Sequence, residues 1–164
     1  MMVAASIIGF RFLAKAVSAY NLLKMQASQI RFIPPALAKL RPSPPVGEGW
    51  QYEVKFDGFR VQLHKAGRTA IIFGKNGGGL THRFPTIAAA VVGLLVRSCV
   101  IDGELIAAGA NGEPDFLALL HGRRVPVCVY AFDLLYLQSR DLRELPLEQR
   151  RASSRRYSPT TRAR

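Results

Sequence analysis

From Trp50 the chain alternates: Trp50, Tyr52, Val54 and Phe56 fall on one parity, and Gln51, Glu53, Lys55 and Asp57 on the other. A period of two predicts a strand that buries its aromatic side and offers Glu53, Lys55 and Asp57 together on the opposite face. Asp57 and Gly58 carry a hairpin-turn signal, so Phe59 to Lys65 reads as the returning strand and Thr69 to Phe73 as a third. Gly74 to Gly79 reads as a loop. Pro85 suits the first turn of a helix running to about Val96 through alanine, valine and leucine. Cys99 to Ala107 reads as a buried strand, Asn111 and Gly112 as a turn, and Pro114 to Leu120 as a short helix closed by Gly122. Val125 to Leu137 is a long apolar strand region, and Pro146 to about Ala152 starts another helix. Upstream, Leu13, Ala16, Val17, Tyr20 and Leu23 recur at helical spacing within Phe12 to Met25. Pro34, Pro35, Pro42, Pro44 and Pro45 then make an extended lead-in. Strands and helices mixed with hairpin connections favour an α+β domain with a mainly antiparallel sheet over a doubly wound parallel one.

At 164 residues the chain has the length of one domain with its own core. The formal charge of +12 favours a polyanionic partner such as nucleic acid. Much of the arginine lies in the last stretch, where serine and threonine are frequent and acids absent, so residues 151–164 are expected to form a disordered basic tail. Two cysteines, Cys99 and Cys128, sit in apolar runs and are expected to be reduced core residues of a cytoplasmic protein. The three histidines share no spacing with cysteine or carboxylate ligands, so no metal-binding residues are assigned. Met1 to Phe10 is apolar but about half the length of a membrane span, and its positive charges follow the apolar run instead of preceding it. Neither a membrane anchor nor secretion is expected.

The chemistry centres on Lys55. A lysine amine attacks phosphorus only when neutral, whereas its ordinary pKa is about 10.4, so a site using it must discourage the ammonium form by desolvation or a nearby cation. Glu53 and Asp57 pull the other way, and a divalent cation would offset them. The bland account of Lys55 is an exposed lysine between solubilising carboxylates, and of Asp57 and Gly58 a simple turn. Against it stands the longer string, in which Gly58 gives the turn and Arg60 a charged clamp. Asp102, Gly103 and Glu104 can likewise be read as another turn, though placing both acids inside the apolar run Val100 to Ala107 is costly without a purpose. Gly77, Gly78 and Gly79 lack the lysine and hydroxyl residue that end a P-loop, since Leu80 follows.

Taken together, these segments resemble the adenylation domain of ATP-dependent DNA ligases, particularly the ligase domain of bacterial non-homologous end-joining enzymes. The likeness runs from about Phe32 to Arg150 and rests on ordered segments. These are Glu53 to Arg60 after Trp50; Lys75 to Gly77 with Leu80, Thr81, Arg83, Phe84 and Pro85; Ile101 to Leu105; and Tyr130 to Leu137. Leu142 to Arg151 fits the same pattern. The resemblance implies a nucleotidyltransferase fold with ATP and Mg²⁺ as cofactors and nicked or broken double-stranded DNA as substrate. By it, Lys55 attacks the α-phosphate of ATP and carries AMP as a phosphoramidate, Glu53 recognises the adenine edge, Arg60 holds nucleotide or DNA phosphate, Glu104 binds the ribose hydroxyls and Phe132 stacks on adenine. Lys75 and Arg83 are the expected phosphate or nucleic-acid contacts.

Departures from the family pattern temper this. Gly74, Lys75, Asn76 and Gly77 stand where Ser, Arg, Asn or Arg, and Gly are usual, and Gly79 replaces an aspartate. Lys75 keeps the charge without arginine's planar fork, so a weaker phosphate contact is expected. The family's later motifs and its OB-fold domain find no counterpart after Arg150. The expected organisation is therefore an N-terminal extension at 1–29, the first part of an adenylation domain at 30–150 and a tail at 151–164, with a separately encoded remainder of the ligase as a candidate partner. Two other functions stay open. One is a catalytically inactive nucleic-acid-binding fragment, and the other a related RNA ligase or capping nucleotidyltransferase.

Overall fold

The computed structural model describes residues 31–39, 42–47, 49–109, 113–138 and 140–155. The helix expected within Phe12 to Met25 and the turn at Asn111 and Gly112 lie outside the described residues. Five strands form one sheet in the order β2-β1-β3-β4-β5, with every neighbouring pair antiparallel. They are β1 (Phe59–Ala66), β2 (Thr69–Gly74), β3 (Ser98–Ala107), β4 (Val127–Leu137) and β5 (Arg140–Asp141). Among the described residues three helices accompany them: α1 (Pro85–Val92), α2 (Phe116–Leu120) and α3 (Leu147–Arg155). The α+β class with a mainly antiparallel sheet is thus as the sequence predicts.

Alternation along β1 sorts the two faces of the sheet. Val61 and Leu63 join Ile72, Leu105, Ile87 and Leu119 in the core, which α1 and α2 cover. β1 and β2 are joined tightly, with Ala66 opposite Thr69 and Gly67 at φ +58°. Helix α1 stops at Val92, short of the expected Val96. Carbonyls at and just beyond its end explain the stop: the buried Lys65 ammonium crosses from β1 and donates to Val92 O and, at 2.5 Å, to Leu94 O. Leu94 and Val96 then enter the core in a non-helical stretch leading to β3. Lys65 stands opposite Cys99 on β3, and burial pushes that thiol up to about 12 against the pull of the ammonium. Cys99 and Cys128 are both free thiols. Helix α2 begins later than expected, at Phe116, because Asp115 caps it by accepting from Ala118 N at 2.9 Å.

The larger correction concerns residues 50–57, which form no strand. Both edges of β1 are occupied, by β2 on one side and β3 on the other, so a hairpin at Asp57 and Gly58 has no partner edge. Nor is the aromatic parity buried: Trp50, Tyr52 and Val54 are exposed. Gly58 is instead the point where the chain drops onto the sheet. A Cβ there would lie 2.3 Å from Leu105 O, a separation only glycine avoids.

The face opposite the core is polar and lies partly under the lead-in. Gln62 works as a peptide surrogate, accepting from Ile33 N at 3.2 Å and donating to Ile33 O at 2.6 Å. Farther along, Arg60 donates to Ala36 O at 2.7 Å, so residues 33–36 run back along β1. At the other end of the chain, α3 continues through Arg155, past the boundary set at residue 151 for a disordered tail. Residues 156–164 lie outside the described set. Among the described residues no helix is long and apolar enough to cross a membrane.

Candidate active site

Strand register sets the site. Arg60 on β1 pairs with Glu104 on β3, and Glu104 with Tyr130 on β4, so one row across the sheet holds a cation, a carboxylate and an aromatic ring. One step along, the β3–β4 register shifts: Asp102 faces Asp133 and Gly103 faces Ala131, leaving Phe132 unpaired between them. Such a bulge turns a side chain out of the ladder. The bulge also needs Gly103, whose Cβ would come within 2.7 Å of Tyr130 O.

The buried acid in the apolar run has a partner. Arg60 grips Asp102 with two hydrogen bonds, Nε to Oδ1 at 3.2 Å and Nη2 to Oδ2 at 2.9 Å, and Asp102 is nearly inaccessible. That fork fixes the guanidinium plane, which lies 5.5 Å from the centre of the Phe132 ring. Removing either charge from such a pair leaves the other buried, at a cost on the order of 3 kcal/mol. Glu104 is half-buried. Burial raises its pKa above the ordinary carboxylate value, opposed by the Gly58 backbone N–H, Arg60 and Lys55, while Asp57 adds to the rise.

Lys55 itself is exposed, and its amine lies 3.8 Å from Asp57 Oδ1 in solvent, a contact of little energetic weight. The segment carrying it is fastened elsewhere. Phe56 stacks on Tyr130 with ring centroids 4.0 Å apart. Tyr52 donates to Pro45 O at 2.5 Å. Glu53 forms an ion pair with Arg151 of α3, and Gln51 donates to Glu148 at 2.9 Å and accepts from Arg151 at 2.9 Å.

Lys55, Arg60, Glu104 and Phe132 are therefore gathered at the polar face, with Glu53 at its margin. Lys75 follows Gly74, the partner of Val61, and so stands exposed at the same end of the sheet beyond β2. Arg83 is not brought to this group. It lies over the rings of Phe59 and Phe84, at 5.1 and 5.4 Å, and donates to Leu119 O at the end of α2, on the core side. The sequence assigned no role to Asp102 beyond its burial, to Tyr130, or to the pair formed by Arg150 with Asp133. Arg150 donates to that carboxylate at 2.8 and 2.9 Å, and to Leu145 O at 2.5 Å. The helix start at Pro146 was read from the sequence, whereas nothing in the sequence pointed to Asp133 as the partner of Arg150.

Chemically, the donor set suits a nucleotide: a primary amine, a fixed guanidinium, a half-buried carboxylate able to accept from hydroxyls, and a ring on which a base can stack. Among the described residues there is no group of three or more His, Cys, Asp or Glu able to hold a metal ion.

Comparison with known proteins bears on the same segment. A family described as the ATP dependent DNA ligase domain matches residues 24–160. The multifunctional non-homologous end joining protein LigD of Pseudomonas aeruginosa is 38% identical over 125 residues, 74% of this chain and 15% of its own length. DNA ligase 2 of Thermofilum pendens is 38% identical over 111 residues, 60% of this chain and 18% of its own. A solved mycobacterial DNA ligase D complexed with ATP and MES superposes with a TM-score of 0.56 at 29% identity, over 62% of this chain and 34% of that one. The chain thus spans well under half the length of each of these relatives.

Proposed function

Because the chain belongs to the ATP-dependent DNA ligase domain family, we propose that it carries out the self-adenylylation step of strand joining, with Lys55 as nucleophile. The Lys55 Nζ lone pair forms a bond to the α-phosphorus of ATP, the bond to the bridging oxygen breaks, pyrophosphate leaves and the nitrogen sheds its proton. Phe132 stacks on adenine, Glu104 accepts from the ribose hydroxyls, Arg60 opposes phosphate charge and Glu53 meets the adenine edge. Lys75 and Arg83 contact DNA phosphate in this scheme, Lys75 from the same end of the sheet and Arg83 only after leaving the rings it covers. Magnesium held by the nucleotide's own phosphates would supply charge neutralisation there. AMP then passes to the 5′-phosphate of nicked or broken double-stranded DNA, in a cytoplasmic setting.

The observation that carries this reading is the meeting of Lys55, Arg60, Glu104 and Phe132 at one face of the sheet, where register and the bulge at Phe132 fix the last three. Incubation of the purified protein with α-³²P-ATP and Mg²⁺ tests it. Label should survive denaturing electrophoresis and vanish in Lys55→Ala, and GTP should label far less than ATP, which separates it from a capping enzyme. Absence of label from folded protein would sink the proposal.

A second reading, an inactive nucleic-acid-binding piece, draws on the exposed Trp50, Tyr52 and Val54 beside the site and on the charge of +12. It expects DNA affinity that falls steeply with salt and ignores Lys55→Ala.

A further inference from the structure

Resting on the self-adenylylation reading, we propose that Arg151 of α3 is a positioning residue that sets where Lys55 stands, with Glu148 in support. The segment 51–57 takes no part in the sheet, so no ladder of backbone hydrogen bonds holds it. Its tethers nearest the nucleophile lie two residues before and one residue after. Glu53 is paired to Arg151, and Phe56 is stacked on Tyr130. Three residues of extended chain reach at most about 11 Å, so with both ends fastened the Lys55 backbone has little freedom, and with one end loose it swings about the other.

The tether is itself well anchored. Arg150, adjacent to Arg151, fastens α3 to β4 through its two-bond grip on Asp133, and Asp133 follows Phe132 in the chain. One strand therefore carries the ring proposed for adenine, the ring that holds Phe56, and the staple for the helix that holds Glu53. Displacement of the nucleophile by a fraction of its reach lowers the population of in-line geometries and leaves the proposed nucleotide contacts of Phe132, Glu104 and Arg60 in place, Glu53 alone among them moving with the segment. Arg151 thus acts on the rate at saturating ATP and much less on ATP affinity.

The test follows single-turnover labelling by α-³²P-ATP as a function of ATP concentration, in the wild-type chain and in Arg151→Ala, Arg151→Lys and Glu148→Ala. Arg151→Ala should slow the saturating rate about tenfold with the half-saturating ATP concentration moved less than about twofold. Arg151→Lys should recover part of the rate, and Glu148→Ala, which cuts only the Gln51 contact, should show a smaller loss. Arg143→Ala removes an equal charge from another surface and should match the wild type. A saturating rate unchanged in Arg151→Ala, or a loss confined to half-saturation, overturns the proposal while leaving self-adenylylation intact.

A second readout does not depend on ATP. Trp50 is the single tryptophan and adjoins Gln51, so its time-resolved fluorescence anisotropy reports motion of the segment. Arg151→Ala should enlarge the fast depolarising component in folded protein, as judged by an unchanged far-UV spectrum. If the wild-type chain takes no label, the function reading fails and this measurement alone decides. Unchanged anisotropy then refutes the tether, and a larger fast component upholds it. Should Arg151→Ala fail to fold, Arg151→Gln, which removes the charge paired with Glu53 but keeps much of the side chain, is read in the same way.

Discussion

Residues 50–57 and 59–66 look alike as sequence and end as opposites. Both alternate apolar and polar positions, yet β1 lies at the centre of the sheet with Val61 and Leu63 buried, while Trp50, Tyr52 and Val54 remain exposed. The difference arises from the supply of edges. β1 uses both of its own on β2 and β3, and none is left for the residues before Gly58. Alternation states that a segment could bury one face. Whether it does is decided by a partner elsewhere in the chain. In the proposed reading the unpaired segment bears the nucleophile and the paired one the charge that meets the substrate, so a stretch held by side chains and one held by the backbone ladder meet at a single glycine.

The sharpest way to separate the two is substitution on either side of that glycine. Lys55→Ala should abolish labelling by ATP and leave the melting temperature within about 1 °C, because an exposed side chain removed from an unpaired segment touches no core. Leu105→Ala, on the buried row beside the site, should do the converse. A loss of about 2–5 kcal/mol is expected from the cavity, read by urea denaturation. A melting temperature that falls as far in Lys55→Ala as in Leu105→Ala would erase the distinction.

Gly58→Ala tests the boundary itself. The added Cβ meets Leu105 O and the Ile106 side chain, so the backbone must move, with a loss of about 1–3 kcal/mol and a fall in labelling rate together. Unchanged stability would show that the chain joins the sheet later than Phe59.

The smallest effect concerns pH. Burial is the main cause of the raised Glu104 pKa, so on acidification this carboxylate gains its proton before an ordinary one does. ATP affinity should then weaken as pH falls from neutral toward the carboxylate range, and Glu104→Gln should flatten that dependence. For stability the sign is opposite. A folded pKa above the unfolded one favours the fold at low pH and loses that favour as pH rises through the folded value, so Glu104→Gln should be neutral or stabilising at pH 7. Calorimetric ATP titrations across pH, in both chains, check the first claim, and thermal melts at pH 7 the second.

Much of the scaffold could be read from residues alone, because β2, β3, β4 and the start of α1 depend on local signals: apolar runs bounded by glycine, and a proline at a first turn. The end of α1 could not, since it follows from the Lys65 ammonium arriving from another strand. The candidate site was legible as a set of residue types in order, Lys55, Arg60, Glu104 and Phe132. Its geometry was not, because the row Arg60, Glu104 and Tyr130 and the bulge at Phe132 exist only once register is set. Arg150 and Arg151 were hidden for a different reason. The helix that carries them was expected from Pro146, but their partners were not, because only the fold brings the carboxylates of Asp133 and Glu53 to it.

The amide of Gln62 carries a consequence for the order of events during synthesis. Residues 33–36 leave the ribosome well before β1, yet the group that holds Ile33 lies 29 positions later, on a strand seated between β2 and β3. The lead-in therefore has nothing to bind until β1 and β2 have been made, since Phe32 meets Phe73 of β2 at 5.8 Å. Among these segments, what is translated first waits for what is translated later.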